Sequence, residues 1–328
     1  MPTPKPLRAL PLIVASIMAV SCWPALASDF PARPVRIVVP VPAGGPMDAM
    51  ARALATELAT TWKQQVVVDN RPGGNEIIAA NHVANASADG HTLMLASDST
   101  LSLNPQLYTK LSYDPVNGFT PIGRVAVSHM VLVVPPSLGV QTLEAFIQYA
   151  KAHRGELAYG STGRGNITHL SMEWLAQQAG IQVLNAPYQG LAPVITALLG
   201  NQVQATFGAV SILAPYIDNG KLVALAVSGP QRAQALPRVP TFLESGFADF
   251  EASFYMAILA PGKLPAQVTD KISQDIRTIT ARGDFQQQHM APYALNAVSE
   301  TPAQFKHYLQ QERAVVRNKV RLSGVKLN

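Results

Sequence analysis

Two glycine-bearing segments hold the residues best suited to bind a ligand. The first is Ala43-Gly44-Gly45-Pro46-Met47-Asp48, placed between the β-branched run Val35–Val39 and an apolar-striped stretch that predicts a helix. Pro46 suits a first helical position, where the N–H it lacks would have no partner. Glycines let the main chain approach a ligand closely, and the unpaired N–H groups of a helix start carry partial positive charge. A strand–Gly-Gly–helix junction is therefore a seat for a carboxylate. The second segment runs Gly160-Ser161-Thr162-Gly163-Arg164-Gly165-Asn166-Ile167-Thr168-His169, again between a short strand pattern and a helix pattern. Asn166 or Thr168 can cap that helix through a side-chain oxygen, and Ser161 and Thr162 add hydroxyls. Facing each other, two such seats would bracket an anion of dicarboxylate size. Each charge-assisted hydrogen bond contributes about 1.5–3 kcal/mol, so a handful of them, less the ordering cost, corresponds to micromolar binding.

The same residues admit plainer roles. Gly44-Gly45 also reads as a tight turn, and Asp48 as a first-turn acid favoured by the helix dipole. Met47, Met50 and Leu54 read as one apolar helix face, with Met47 nearest the seat. His169 reads as a helix-start packing residue, since no acid or base partner can be placed beside it. Catalytic patterns are missing. Glycine directly precedes Ser161, whereas a serine nucleophile elbow needs Gly-x-Ser-x-Gly. Gly155 and Gly160 have the phosphate-loop spacing, but Ser161 stands in the lysine position. His82, His91, His129, His153, His169, His289 and His307 never fall three or four residues apart, so no metal pair and no cofactor is expected.

The elements that must position these seats alternate. Strands are expected at Val35–Val39, Val66–Asp69 and Thr92–Ala96, with helices at Pro46–Thr61 and Glu76–Ala86 between them. That order predicts a parallel sheet with helices on its faces. A second set starts with a strand at Met130–Val134, a helix at Leu143–His153, a strand at Leu157–Gly160 and a helix at Thr168–Ala179. It continues with strands at Val183–Ala186, Val203–Phe207 and Leu222–Val227, and a helix at Ala192–Leu199. An extended segment at Ala252–Leu259 and helices at Ala266–Thr280 and Pro302–Val320 close the chain. Two α/β sets with a C-terminal return predict two lobes joined by crossings near Gly123–Val127 and Phe247–Ser253. The first lobe would comprise residues 28–126 and 250–328, the second residues 127–249.

Composition bounds the class. The 328 residues are 48% hydrophobic and 14% charged, as expected of a well-buried globular protein of two domains. Lys5 and Arg8, the apolar run Leu10–Val20 and Ala25-Leu26-Ala27 have the order of a secretory signal peptide, residues 1–27. Cys22, the single cysteine, falls inside that leader, so the mature chain would have no thiol chemistry. Loss of Lys5 and Arg8 lowers the net charge from +5 by two, to +3, and no basic cluster with interleaved aromatics points to nucleic acid.

Several segments together resemble one family. They are RPVRIVVPVPAGGPMDAMAR (Arg33–Arg52), VVVDNRPGGNEIIAA (Val66–Ala80), ADGHTLMLAS (Ala88–Ser97) and LNPQLYTKLSYDPVNGFTPI (Leu103–Ile122). GELAYGSTGRGNITHL (Gly155–Leu170), APYQGLAPVITALLGNQVQATF (Ala186–Phe207) and LPRVPTFLESGFADFEA (Leu236–Ala252) continue the match. The chain resembles the tripartite tricarboxylate transporter substrate-binding proteins, the TctC or Bug family of periplasmic receptors. The resemblance implies an α/β type II periplasmic binding fold of Venus flytrap form. Its two lobes close on a small organic carboxylate, which is delivered to the membrane permease subunits of a tripartite transporter. It also implies binding through main-chain amides of Ala43, Gly44, Gly45, Met47 and Asp48, and of Ser161, Thr162, Gly163, Asn166, Thr168 and His169. Tyr188 would approach the cleft, and Ser97-Asp98-Ser99 would end a strand facing it. Met47 stands where relatives usually carry a small polar residue, which predicts an apolar pocket wall. Arg164 replaces a smaller or uncharged residue and would add an anion contact or face water. The expected state is a periplasmic monomer. The same binding chemistry would serve a ligand-sensing receptor subunit of a signalling system, and a secreted hydrolase is the remaining alternative.

Overall fold

The computed structural model describes residues 1–2, 30–248, 250 and 252–325. Apart from its first two residues, the leader expected over residues 1–27 lies outside them. The chain runs β1 (Val35–Val39), α1 (Pro46–Trp62), β2 (Val66–Asn70), α2 (Ile77–Ala84), β3 (Thr92–Ala96), α3 (Asn104–Leu107) and β4 (Phe119–Val134). It continues through α4 (Leu143–Ala152), β5 (Ala158–Ser161), α5 (Ile167–Ala179), β6 (Leu184–Pro187), α6 (Leu191–Leu199), β7 (Ala205–Ala209), α7 (Val210–Asp218) and β8 (Val223–Val227). The last elements are β9 (Ser253–Pro261), α8 (Ala266–Thr280), α9 (Gly283–Phe285), β10 (Leu295–Ala297) and α10 (Pro302–Ser323).

Apart from the exposed Arg36, β1 is apolar and buried, as a central strand must be when helices cover both sides of a parallel sheet. It pairs in parallel with β2 (Val35 opposite Val66) and β3 (Ile37 opposite Leu93). Ile37 and Val39 join the core under α1 and α8, while Val38 joins the core under α2 and the first half of α10. The strands follow the order β2-β1-β3-β9-β4-β7-β5-β6, with β8 and β10 also on β4. In the second half β5 lies between β7 and β6, parallel to both. Its two faces are covered by α4 with α5 and by α6 with α7.

β4 departs most from expectation. Only Met130–Val134 reads as strand in the sequence, because Pro121 and Gly123 interrupt the upstream pattern. The strand nevertheless begins at Phe119 and absorbs those residues as register shifts against β9. Phe119–His129 pair with β9, and Met130–Val134 pair with β7 and β8, so one strand passes from the first half-sheet into the second. α7 was not expected either, since Pro215 lies inside it. The helix expected at Glu76–Ala86 splits into a 3-10 turn, Gly74–Glu76, and α2. Asn75 and Glu76 there take left-handed φ values of 51° and 74°.

A further contact joins the halves. Leu103 and Leu107 meet Leu170 in the first turn of α5 and Val316 and Val320 in the second half of α10. α10 therefore buries Phe305 and Leu309 in the first half and its later residues against the second.

Candidate ligand-binding site

The two glycine-bearing loops leave β1 and β5, and each of these strands sits between the next two parallel strands in its half-sheet. Connections from such a strand diverge to opposite sides, which opens a crevice at its carboxyl end. Both seats thus start at the position where an α/β sheet has room for a ligand.

In the first loop Ala43 and Gly44 are exposed and Gly44 has φ +97°. Added Cβ atoms on Gly44 or Gly45 would meet nothing within 4 Å, so the space in front is open. Gly45 occupies the N-cap of α1 and offers no side-chain cap. The amides of Met47 and Asp48 lie in the first turn, where a helix supplies no acceptor. The loop is held from behind by Asp48, which is 3% exposed. Its Oδ2 accepts from the Gly44 amide and Arg52 Nε, both at 3.0 Å, and its Oδ1 from Asn70 Nδ2 at 2.9 Å. Asn70 Nδ2 also donates to the Val41 carbonyl at 3.0 Å, and Arg52 Nη2 to Asn70 Oδ1 at 3.2 Å. Burial pushes the Asp48 carboxyl up, but the donors Arg52, Gly44 and Asn70 outweigh it and hold the group below its ordinary value. Asp48 and the Gly44 amide therefore satisfy each other, which leaves the amides that follow as the open donors. Met47 is 6% exposed and packs in the α1 core beside Met50 and Leu54.

The second loop closes on itself. Asn166 Oδ1 accepts from the amides of Thr168 (3.1 Å) and His169 (3.3 Å) and from Thr168 Oγ1 (2.7 Å). Asn166 Nδ2 donates to Thr162 Oγ1 at 2.6 Å, and the Thr162 amide donates to Thr168 Oγ1 at 2.9 Å. Ser161 Oγ donates to Asn185 Oδ1 at 2.8 Å. The Gly165 amide donates to His169 Nδ1 at 2.9 Å, which requires an unprotonated Nδ1. Burial, with Arg164 nearby, lowers the His169 pKa to about 4, so the ring is neutral near pH 7. Arg164 faces water. Gly163 is half-buried with φ +140°. Tyr188 is half-buried against the core under α6 and α7, and its amide donates to the Ser161 carbonyl at 2.8 Å.

Each loop thus gathers its own residues. Leu170, one residue past His169, packs on Leu103 and Leu107 from the segment that follows β3, the neighbour of β1. A separate hollow of about 420 Å³ between α10 and the start of β4, lined by Leu101, Val116, Phe119 and Leu309, contains none of these residues.

The sequence reading missed Glu76. Its buried carboxylate accepts from Ser97 Oγ (2.5 Å), the Ser97 amide (3.2 Å) and Thr100 Oγ1 (2.6 Å), tying the loop after β2 to the end of β3. An acid just before an apolar helix looks like an ordinary first-turn acid. Only the left-handed turn at Asn75-Glu76 directs it inward.

Comparison with known proteins settles the family. The model of the tripartite tricarboxylate transporter family receptor, TctC, matches residues 50–321. The chain belongs to the TctC receptor family. BugT of Bordetella pertussis is 33% identical over 309 residues, 93% of each chain. The solved periplasmic binding protein BugD superposes with TM-score 0.82 at 30% identity, over 90% of this chain and 99% of that one. An R. palustris protein solved with adipate superposes with TM-score 0.85 at 28% identity, over 90% and 99%. The TctC chain described here has the mixed α/β periplasmic binding fold of these receptors, a family of solute-binding proteins. Among its described residues no helix is long and apolar enough to cross a membrane, and no group of His, Cys, Asp or Glu could hold a metal ion.

Proposed function

We propose that this receptor captures a small organic dicarboxylate between the loops at Ala43–Asp48 and Ser161–His169 and hands it to the permease subunits of a tripartite tricarboxylate-type transporter. The observation that carries the reading is the start of α1: no side chain caps it, and open space lies before Gly44 and Gly45. An anion there would supply the missing acceptor for the first-turn amides and lie along the favourable end of the helix dipole. The second loop would contribute a fixed wall beside the Thr162 hydroxyl, because Asn166 already caps its helix and Ser161 Oγ already donates to Asn185. Adipate in a relative of the same fold agrees with a ligand bearing a carboxylate at each end. Export through the leader at residues 1–27, hinged lobes divided near residues 126 and 250, and action as a monomer complete the proposal. It involves no catalytic step.

Isothermal titration with adipate, malate and neutral amides of matching length, paired with small-angle scattering, tests this. Micromolar binding of a dicarboxylate with a fall in radius of gyration is expected. Equal affinity for the neutral amides would overturn the anion seat.

A further inference from the structure

Beneath the carboxyl edge of the first half-sheet lie three carboxyl groups from distant parts of the chain, two of them buried and the third half-buried. They are Glu76 from the loop after β2, Asp98 from the end of β3, and Glu312 from α10. Glu76 accepts from the Ser97 amide and the hydroxyls of Ser97 and Thr100. Glu312 accepts from the hydroxyls of Ser102, Tyr255 (3.2 Å) and Tyr308 (3.0 Å). Asp98 lies within electrostatic reach of both. The amide and the hydroxyls that donate to Glu76 and Glu312 are neutral. Arg124 of β4 acts on Glu312 from a distance, but it forms a two-pronged pair with Glu300 at 2.9 and 2.5 Å and stacks over Tyr308 at 3.4 Å. Tyr113, which packs near Glu76, donates to the Thr100 carbonyl at 2.7 Å. The Arg124 guanidinium acts on Glu300 and Glu312. Burial raises Glu76 and Glu312 above the ordinary range, and burial followed by Glu312 and Glu76 raises Asp98 well above it. The shifts favour the protonated forms of the cluster, because full ionisation would leave unpaired charge in a low-dielectric site.

Its position gives this consequence. Ser97 and Asp98 directly follow β3, which is paired with β1, and the first anion seat is the loop that leaves β1. Paired strands lie about 4.8 Å apart, which puts the cluster roughly 10 Å from the seat. We propose that filling the first seat with a carboxylate is coupled to proton uptake by Glu76, Asp98 and Glu312, so that the anion binds more tightly as pH falls. This rests on the anion-seat reading above. At about 10 Å and an effective dielectric near 20, one negative charge changes the cost of a second on the order of tenfold. Between pH 6 and 8 the dicarboxylate itself is ionised, and His169, with a pKa of about 4, is neutral, so neither accounts for a pH slope in that window.

The test is isothermal titration of the purified chain with adipate and with malate at pH 6, 7 and 8, each in phosphate and in Tris, whose ionisation enthalpies differ. Net proton uptake is expected, with affinity falling on the order of tenfold from pH 6 to pH 8. Asp98→Asn and, separately, Glu312→Gln should flatten that slope, and circular dichroism shows that each variant is folded. Binding without proton exchange, or a slope unchanged in both variants, overturns the coupling and leaves the seat intact. Failure of both acids to bind at every pH overturns the seat, and the coupling with it.

Discussion

At the start of α1, Gly45 has no side chain to offer and the first-turn amides stay open. At the start of α5, Asn166 takes the amides of Thr168 and His169 for itself. The two loops look alike in sequence, with glycines between a short strand and a helix, but they solve the problem of an unsatisfied helix end in opposite ways. The first is braced from behind by Asp48, Asn70 and Arg52 and left bare in front. The second closes through Thr162, Asn166, Thr168 and His169. A helix start without its own cap has a vacancy for an external anion. A capped one contributes rigidity and shape. In the proposed function, charge recognition then falls chiefly to the first loop.

The change that should break this comparison most sharply is Gly44→Val. Its Cβ would enter the open space before the seat, at a φ of +97° that β-branched residues avoid. Adipate affinity should fall at least about a hundredfold, while stability falls about 1–3 kcal/mol from backbone strain; titration and denaturant unfolding separate the two. Unchanged affinity would remove the first loop from the site.

Asn166→Ala should show the reverse balance. It deletes the cap of α5 and the bond to Thr162, so stability should fall by about 1–2 kcal/mol in urea unfolding. Adipate affinity should fall less than in Gly44→Val. A larger affinity loss than Gly44→Val would invert the assignment.

The pH response sharpens the contrast further. The pKa of His169 in the fold, about 4, lies below the ordinary value of 6.5. The neutral ring therefore stabilises the fold fully above about pH 6.5, and this contribution is lost as pH falls towards 4. Thermal unfolding from pH 7 to 4 should show that decline, and His169→Leu should lose it while being less stable at pH 7. Asp48 is shifted in the same direction from a lower starting value. The first loop should thus keep its brace at pH values where the second has begun to loosen, which hydrogen exchange at Gly44 and Gly165 can report.

The smallest effect belongs to Arg164→Ala. This side chain faces water, so at physiological salt it should change adipate affinity by about twofold or less. A tenfold loss would bring Arg164 into the site.

Much of the frame was legible along the chain. β1, β3 and α8 begin and end where hydrophobic pattern and proline punctuation put them, because those signals act over a few neighbouring residues. The Asn166 cap was also readable, since a cap and its helix are adjacent in sequence. β4 was not: its strand character upstream of Met130 comes from β9, more than a hundred residues away. The depth of Met47 was not legible for a similar reason. Helical periodicity places it on the core face, and only the packing of α1 on β1 decides that this face reaches as far as the seat.

The sequence by itself determined the family, the alternation of strands and helices, and the two junctions where a helix start could meet an anion. Local rules suffice for these, because chain chemistry within about ten residues decides them. Tertiary structure alone decided that Asp48 supports Gly44, that the second loop consumes its own donors, and that Glu76, Asp98 and Glu312 converge under one sheet edge. Those outcomes depend on burial and on partners brought together across the fold, and hydrogen bonding and ionisation respond to distance in space, whatever the separation along the chain.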